Sequence, residues 1–352
     1  MDGSYLVLET TNKCSLACVH CSVSEAGHPH HEATGFLSPL LAEALFKDLA
    51  EVGAVFDTLI LFWLGEPLIH PFFGRIYQSA VRAASTHGIF KKIEVHTNAT
   101  HLDAKARAVA LNDAVVEQVW HFTIDAATRQ TYRDIKGMDR FESVESNVAA
   151  FVEALGRCGS KWPRPVFQFI LSEANVEEAD KFRRRWEQAC QRAGVPVQAV
   201  AQDVPGGEEA VVFFRQLDCP TPEEQARQNR VYRRAVEDMG LALVREDKAP
   251  PRVSDQNLSS CSGFWKSPVV GWNGEVTVCT RDNRFENSAG NIRDTPFSRI
   301  WWGDDMEARR GRVASGNYEG LPPCATCFIP RSSNYTDILP EEIQAHAQRR
   351  GA

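Results

Sequence analysis

Across 352 residues, 39 basic and 46 acidic side chains leave a net charge of −7, which argues against a general polyanion-binding surface. That length buries a substantial core, in one large domain with an appendage or in two domains. The most apolar run, Phe56 to Leu64, is too short to span a bilayer, and Met1-Asp-Gly-Ser4 enters a strand without an export signal. Ten cysteines in such a chain point to metal binding in a reducing, cytoplasmic setting rather than to disulfides.

The first strand, Tyr5-Leu-Val-Leu-Glu9, leads into Cys14-Ser-Leu-Ala-Cys18-Val-His-Cys21. A closed zinc or iron–sulfur site takes four protein ligands; three thiolates can hold a four-iron cluster and leave one iron open. A zinc knuckle, or three unrelated core cysteines, are the plainer readings of the same residues. Gly27-His-Pro-His-His-Glu32 reads as an exposed turn at the rim of any site there.

Ser38 as N-cap and Pro39 at the first helical position open a helix, with Leu41, Leu45, Leu49 and Val52 on one face and Gly53 as its stop. Strands follow at Thr58–Leu64, Ile93–Thr97, Val116–Ile124, Val166–Leu171 and Val195–Val200. Helices are expected around 73–87, 103–113, 141–157 and 177–193. This alternation implies a parallel sheet with helices outside and ligands at the carboxyl ends of the strands. Lys181-Phe-Arg-Arg-Arg185 is a local basic run, read as the solvated face of a helix, so nucleic-acid binding is not expected.

From Pro205 to Ser260 the alternation stops. A charged helix runs from Pro220-Thr-Pro-Glu-Glu to about Met239, Leu241–Val244 is a possible strand, and Lys248–Val253 is a loop. Beyond it, Asn273-Gly274 between two β-rich runs signals a hairpin that brings Cys279 back beside Cys261, and Cys324-Ala-Thr-Cys327 adds two thiols. By itself this set reads equally as structural zinc.

Taken together, the Cys-x3-Cys-x2-Cys loop after the first strand, Gly65-Glu66-Pro67 after the second and Thr123-Ile-Asp125-Ala after the fourth resemble the radical S-adenosylmethionine (SAM) enzymes. The C-terminal cysteines, with Gly290-Asn-Ile and Phe297-Ser-Arg-Ile-Trp301 between them, resemble that family's shortened auxiliary-cluster domain, the twitch version of SPASM. Three cysteines fewer than the long form, and none after Cys327, imply one auxiliary cluster with all its irons ligated.

The resemblance implies an α/β fold, a partial (β/α)6 TIM-like barrel with a small C-terminal auxiliary-cluster domain. Its boundaries would be 1–204 for the barrel, 205–260 for a bridge, 261–332 for the auxiliary domain and 333–352 for a tail. It also implies two [4Fe-4S] clusters and SAM. Cys14, Cys18 and Cys21 would hold the first cluster, and Cys261, Cys279, Cys324 and Cys327 the second. SAM contacts fall on Gly65, Glu66 and Pro67 for its ammonium, and on Thr97, Asn98, Thr123 and Asp125 for its ribose or carboxylate. Gln168 and Asn175 are further candidates, and His20 could stack on adenine although that position is more often Tyr or Phe.

The twitch spacing is similar to that of aminocyclitol alcohol dehydrogenases, which implies oxidation of a secondary alcohol on a sugar- or aminocyclitol-like metabolite, with the auxiliary cluster taking an electron. Arg281 is a candidate base or substrate contact. A carbohydrate epimerase with Cys219 as hydrogen-atom donor and a peptide-modifying enzyme are the alternatives; a start at the first barrel strand, without a peptide-binding domain, counts against the second. An iron–sulfur electron carrier or a zinc-stabilised binding module are the non-enzymatic ones. A flavodoxin or ferredoxin is the expected reductant. Cys158 and Cys190 are read as inert buried thiols.

Overall fold

A computed structural model describes residues 2–24, 27–111, 116–219, 221–243, 260–327, 338 and 341–344. The chain runs β1 (Asp2–Leu8), α1 (Pro39–Glu51), β2 (Val55–Leu61), α2 (Phe73–His87), β3 (Phe90–Thr97), α3 (Ala104–Ala110), β4 (Glu117–Thr123), α4 (Arg129–Lys136), α5 (Phe141–Cys158), β5 (Arg164–Leu171), α6 (Ala179–Ala193), β6 (Val197–Ala201), β7 (Ala210–Gln216) and α7 (Pro222–Asp238). A smaller C-terminal part holds α8 (Gly263–Lys266), β8 (Val269–Val270), β9 (Glu275–Thr277), β10 (Gly290–Asn291), α9 (Phe297–Trp301) and α10 (Asp304–Ala314).

One sheet takes in every strand, in the order β10-β9-β8-β1-β2-β3-β4-β5-β7-β6. From β1 to β6 all neighbours are parallel, the open, partly wound barrel expected from the alternation of strands and helices. Alternation along the strands sorts side chains to two faces. Ile93, Val95, Trp120 and Phe122 pack among helix residues such as Tyr77, Val148 and Phe151 in the main core. The intervening Lys92, Glu94, His96 and His121 therefore line the concave side, where Val119, Val166, Val211 and Phe213 form a separate apolar patch. Val7, Trp63 and Val269 form another.

The sequence reading needs correction at several points. The alternation does break at Pro205, but a strand was missed: Ala210–Gln216, with no helix before it, is a parallel strand inserted beside β5, in register from Val166↔Val211 to Leu171↔Gln216. The expected sixth strand, at Val197–Ala201, is pushed to the sheet edge beyond it. Four consecutive apolar residues, Val211 to Phe214, suit a strand covered on both faces. Strand β2 ends at Leu61, and Phe62-Trp63-Leu64 form its exit. Residues 241–243 are not a strand. Val244, the loop at 248–253 and most of the 333–352 tail lie outside the described residues.

Pro39 does open α1, but the Ser38 hydroxyl makes no cap; its carbonyl receives Leu41 and Ala42 N–H instead. Around His28 the turn is not wholly exposed: His28 is buried, and its Nδ1 accepts from the His30 backbone N–H. Cys190 is buried as expected and its thiol is pushed up to about 12, whereas Cys158 is exposed. The basic run on α6 is matched by carboxylates. Arg183 and Arg184 both reach Asp180, and Arg185 reaches Glu145. Among the described residues no helix is long and apolar enough to cross a membrane.

The hairpin predicted at Asn273-Gly274 is β8–β9, with Gly274 at φ +87°. Its position was not legible in the sequence: β8 pairs in parallel with β1, Val7 opposite Val269, so the C-terminal part extends the barrel sheet at its open edge. Buried Glu9 ties this joint, one carboxyl oxygen accepting from Leu64 N–H and the other from Trp272 N–H.

Candidate active site and auxiliary cysteine pocket

The three-cysteine loop is gripped from two sides by positions where only glycine fits. At Gly65 a Cβ would lie 2.2 Å from the Thr11 carbonyl oxygen, and Glu66 N–H donates to the Lys13 carbonyl at 2.7 Å. At Gly137, which ends α4 with φ +70°, a Cβ would lie 2.4 Å from the Ala17 carbonyl oxygen. Ala17 and Val19 N–H groups donate to the carbonyls of Lys136 and Ile135, which fixes the middle of the loop. Asn98 then reaches over from the end of β3, its Nδ2 3.7 Å from Cys14 Sγ and 3.5 Å from Ser15 Oγ.

Glu66 is 1% exposed and its carboxylate is engaged by its own chain: Oε1 accepts from Leu68 N–H and the Thr97 hydroxyl, Oε2 from Asn98 N–H. Burial pushes its carboxyl up to about 7 against those three hydrogen bonds. The residue thus clasps the Gly65-Glu66-Pro67 turn to the end of β3. Thr97 is spent in the same clasp.

Asp125 is held at φ +59° and is equally occupied. Its Oδ2 pairs with Lys136 Nζ at 2.5 Å, both side chains being 3% exposed or less, and its Oδ1 accepts from Ile170 N–H at 2.7 Å. Lys136, which sequence reasoning passed over inside the segment after β4, is the missing element. It is a buried cation whose charge opposes the rise that burial imposes on the Cys18 thiol. A lysine in the last turn before a C-capping glycine was the available signal; nothing in the sequence told that it turns inward.

Asn175 spends its amide on Ser172, Asp125 and Ile170 backbone groups. Thr123 and Gln168 stand opposite each other on β4 and β5, with Thr123 Oγ1 3.4 Å from the Thr97 carbonyl. His20 lines a cavity of about 250 Å³ together with Ile135, Asn175, Leu217 and Gln228. Cys219 sits in the loop after β7, its N–H donating to Gln225, at the carboxyl end of the sheet.

Around the other site, Cys261, Cys279, Cys324 and Cys327 all line one cavity of about 220 Å³, closed by Tyr5, Phe264, Val278 and Tyr318. Burial, then the neighbouring thiols, push Cys324 up to about 12. Four thiols converging on one cavity are a donor set suited to a cationic centre. Asn287 Nδ2 lies 3.6 Å from Cys324 Sγ, and Arg281 N–H lies 3.4 Å from Cys279 Sγ. Arg281 lines this cavity. Trp63, just before the Gly65 turn, donates from Nε1 to the Thr280 carbonyl and so links the two sites.

Comparison with known proteins agrees with this geometry. The radical SAM superfamily model matches residues 8–163, and the SPASM iron-sulfur cluster-binding domain matches residues 261–328. An AdoMet-dependent heme synthase of Oleidesulfovibrio alaskensis is 22% identical over 324 residues, 85% of this chain and 76% of that protein. Among solved structures, anSMEcpe with bound AdoMet superposes with a TM-score of 0.58 at 12% identity, covering 99% of this chain and 94% of that one. Streptococcus suis SuiB bound to the precursor peptide SuiA gives 0.58 at 11% identity, over 89% and 67%. These likenesses show the fold, a radical SAM TIM-like barrel with a C-terminal auxiliary domain. The cofactors follow from the two matched domains: SAM and a [4Fe-4S] cluster for the barrel, and a further iron–sulfur cluster for the C-terminal part. The chain is an enzyme of the radical SAM superfamily with a SPASM-type auxiliary domain.

Proposed function

We propose that this enzyme oxidises a secondary alcohol of a polar, sugar- or aminocyclitol-like metabolite to a ketone. The observation that carries the reading is the auxiliary pocket, where four thiols converge on one cavity and leave an iron–sulfur cluster no open position for substrate. Such a centre is suited to accepting an electron. Cys14, Cys18 and Cys21 would hold the other cluster, with Asn98 beside it, and the turn clasped by Glu66 would present its backbone to SAM. When bound, these cofactors supply a 5′-deoxyadenosyl radical that takes a hydrogen atom from carbon and an acceptor for the electron left behind. The chain's own share is to orient the alcohol against that chemistry and exclude quenchers. The concave face carries Lys92, Glu94, His96 and His121, groups suited to hydroxyl-bearing ligands. Thr123, Gln168 and His20 are assigned to SAM, the first two to its polar groups and His20 to its adenine. A flavodoxin or ferredoxin in the cytoplasm is the proposed electron source.

The test is anaerobic incubation with SAM, dithionite and a panel of cyclitols, aminocyclitols and free sugars, with hydrazine trapping of carbonyl products and mass spectrometry. A ketone formed with one 5′-deoxyadenosine per product supports the reading. An inverted alcohol instead, lost in Cys219→Ala, would make it an epimerase. Modification of a peptide would place it with SuiB, which was solved with a precursor peptide. No 5′-deoxyadenosine at all would leave an electron carrier or a zinc-binding module.

A further inference from the structure

From the exit of β2 across the concave face of β3 and β4, three aromatic rings form a continuous stack. Phe62 lies 5.3 Å from His96 with 12° between planes, and His96 lies 4.1 Å from His121 with 14° between planes. Glu94 stands at the edge of the stack. His96 Nε2 is 3.2 Å and His121 Nε2 3.8 Å from the same oxygen, Glu94 Oε2, while Lys92 Nζ is 2.6 Å from Oε1. A carboxylate only accepts, so His96 Nε2 carries a proton, and in the neutral ring the lone pair is on Nδ1. Burial opposes ionisation of Glu94, but the His96 hydrogen bond and the electrostatic influence of the neighbouring His121, His96 and Lys92 outweigh it and hold the carboxyl well below the usual range. His121 is buried, its Nδ1 has no hydrogen-bond partner, and burial, then neighbouring His96, lower its pKa well below the usual imidazole value.

The cluster stands near the carboxyl end of β3, the end that meets the cysteine loop through Asn98. His96 lies two residues, about 7 Å of extended chain, before Asn98, whose amide reaches Cys14 Sγ. Arg215, on β7, acts electrostatically on both His121 and His20. Three protein groups within reach of one another also invite a metal ion. The stack argues otherwise: an imidazole binds an ion in its own ring plane, and planes 14° apart with centres 4.1 Å apart do not meet near the two Nε2 atoms.

We propose that His96 is the catalytic base of this enzyme, with Glu94 as its positioning residue and His121 as the stacked floor that keeps the ring upright. The proposal rests on the alcohol-oxidising reading. As the substrate's O–H bond breaks, a new N–H bond forms at His96 Nδ1. The carbon's hydrogen atom and the remaining electron pass to the cofactors named above, so the loss of two protons and two electrons turns alcohol to ketone. Arg281, the residue the sequence offered for this step, is a donor-only guanidinium that lines the auxiliary cavity.

Two measurements test it. In the oxidised holoenzyme, nitrogen NMR of 15N-histidine, with His96 assigned by His96→Gln, is expected to show the Nε2–H tautomer, and Glu94→Gln is expected to mix the tautomers. With the alcohol found in the panel above, His96→Gly is expected to slow ketone formation about 100-fold or more, to lose the acid limb of the pH profile and to be rescued by added imidazole. Ketone formation by His96→Gly at the wild-type rate and pH profile overturns the base while leaving the oxidation intact. Absence of ketone from every alcohol overturns both. One zinc or iron(II) bound beyond the two clusters and released by Glu94→Gln would make the cluster a metal site, and the proposal fails.

Discussion

The two cysteine regions are built on opposite plans. The N-terminal loop is shaped by backbone: its three thiols hang from a segment pinned by Gly65, Gly137 and main-chain hydrogen bonds. The C-terminal set is shaped by side chains, four thiols closing on one cavity walled by Tyr5, Phe264, Val278 and Tyr318. A loop that must leave one metal position open cannot wrap its cluster, so neighbouring turns have to hold it from outside. A closed site can hold itself.

The sharpest way to break this comparison is to remove one thiol from each side. Cys18→Ser is expected to abolish 5′-deoxyadenosine formation, while Cys324→Ser keeps it and loses iron only from the C-terminal centre; iron counts and product assays check both. Next in size is the buried pair behind the loop. Lys136→Met strands Asp125 without its partner and should cost about 3–5 kcal/mol in denaturant unfolding, with Asp125→Asn added in the same chain restoring part of it.

Gly137→Ala should cost about 1–3 kcal/mol, from a left-handed backbone and the close Ala17 carbonyl, and should speed cluster loss from the N-terminal site alone. Last is the joint between the regions. Burial pushes the Glu9 carboxyl up to about 7, against the Trp272 and Leu64 hydrogen bonds. A raised carboxyl means stability fully present below about 4.5 and lost as pH rises through about 7. Whatever the difference between wild type and Glu9→Gln at pH 4.5, it should therefore shift toward the variant by up to about 3 kcal/mol by pH 8 in urea unfolding.

Much of this was legible in the sequence because it depends on local pattern. Strand–helix alternation gave the parallel sheet, and the cysteine spacings gave both metal regions. Gly65-Glu66-Pro67 was placed at the right strand end, but its glutamate turned out to clasp Thr97 and Asn98, a contact across 32 residues that no motif displays. The strand at Ala210–Gln216 was hidden because its neighbour β5 is distant in sequence and no helix precedes it. Lys136 and the Glu94–His96–His121 cluster were missed for the same reason. Only cross-strand register brings His96 opposite His121, and a lone histidine on each of two strands carries no signal.

The central claim is that the N-terminal centre is open to SAM and the C-terminal one closed. Mössbauer spectroscopy of the anaerobically reconstituted protein, with 57Fe in both centres, reads this directly. Added SAM is expected to make one iron of the N-terminal cluster distinct and to leave the C-terminal cluster unchanged, with the response lost in Cys18→Ser and kept in Cys324→Ser. A response from the C-terminal centre, or none from the N-terminal one, would contradict the account.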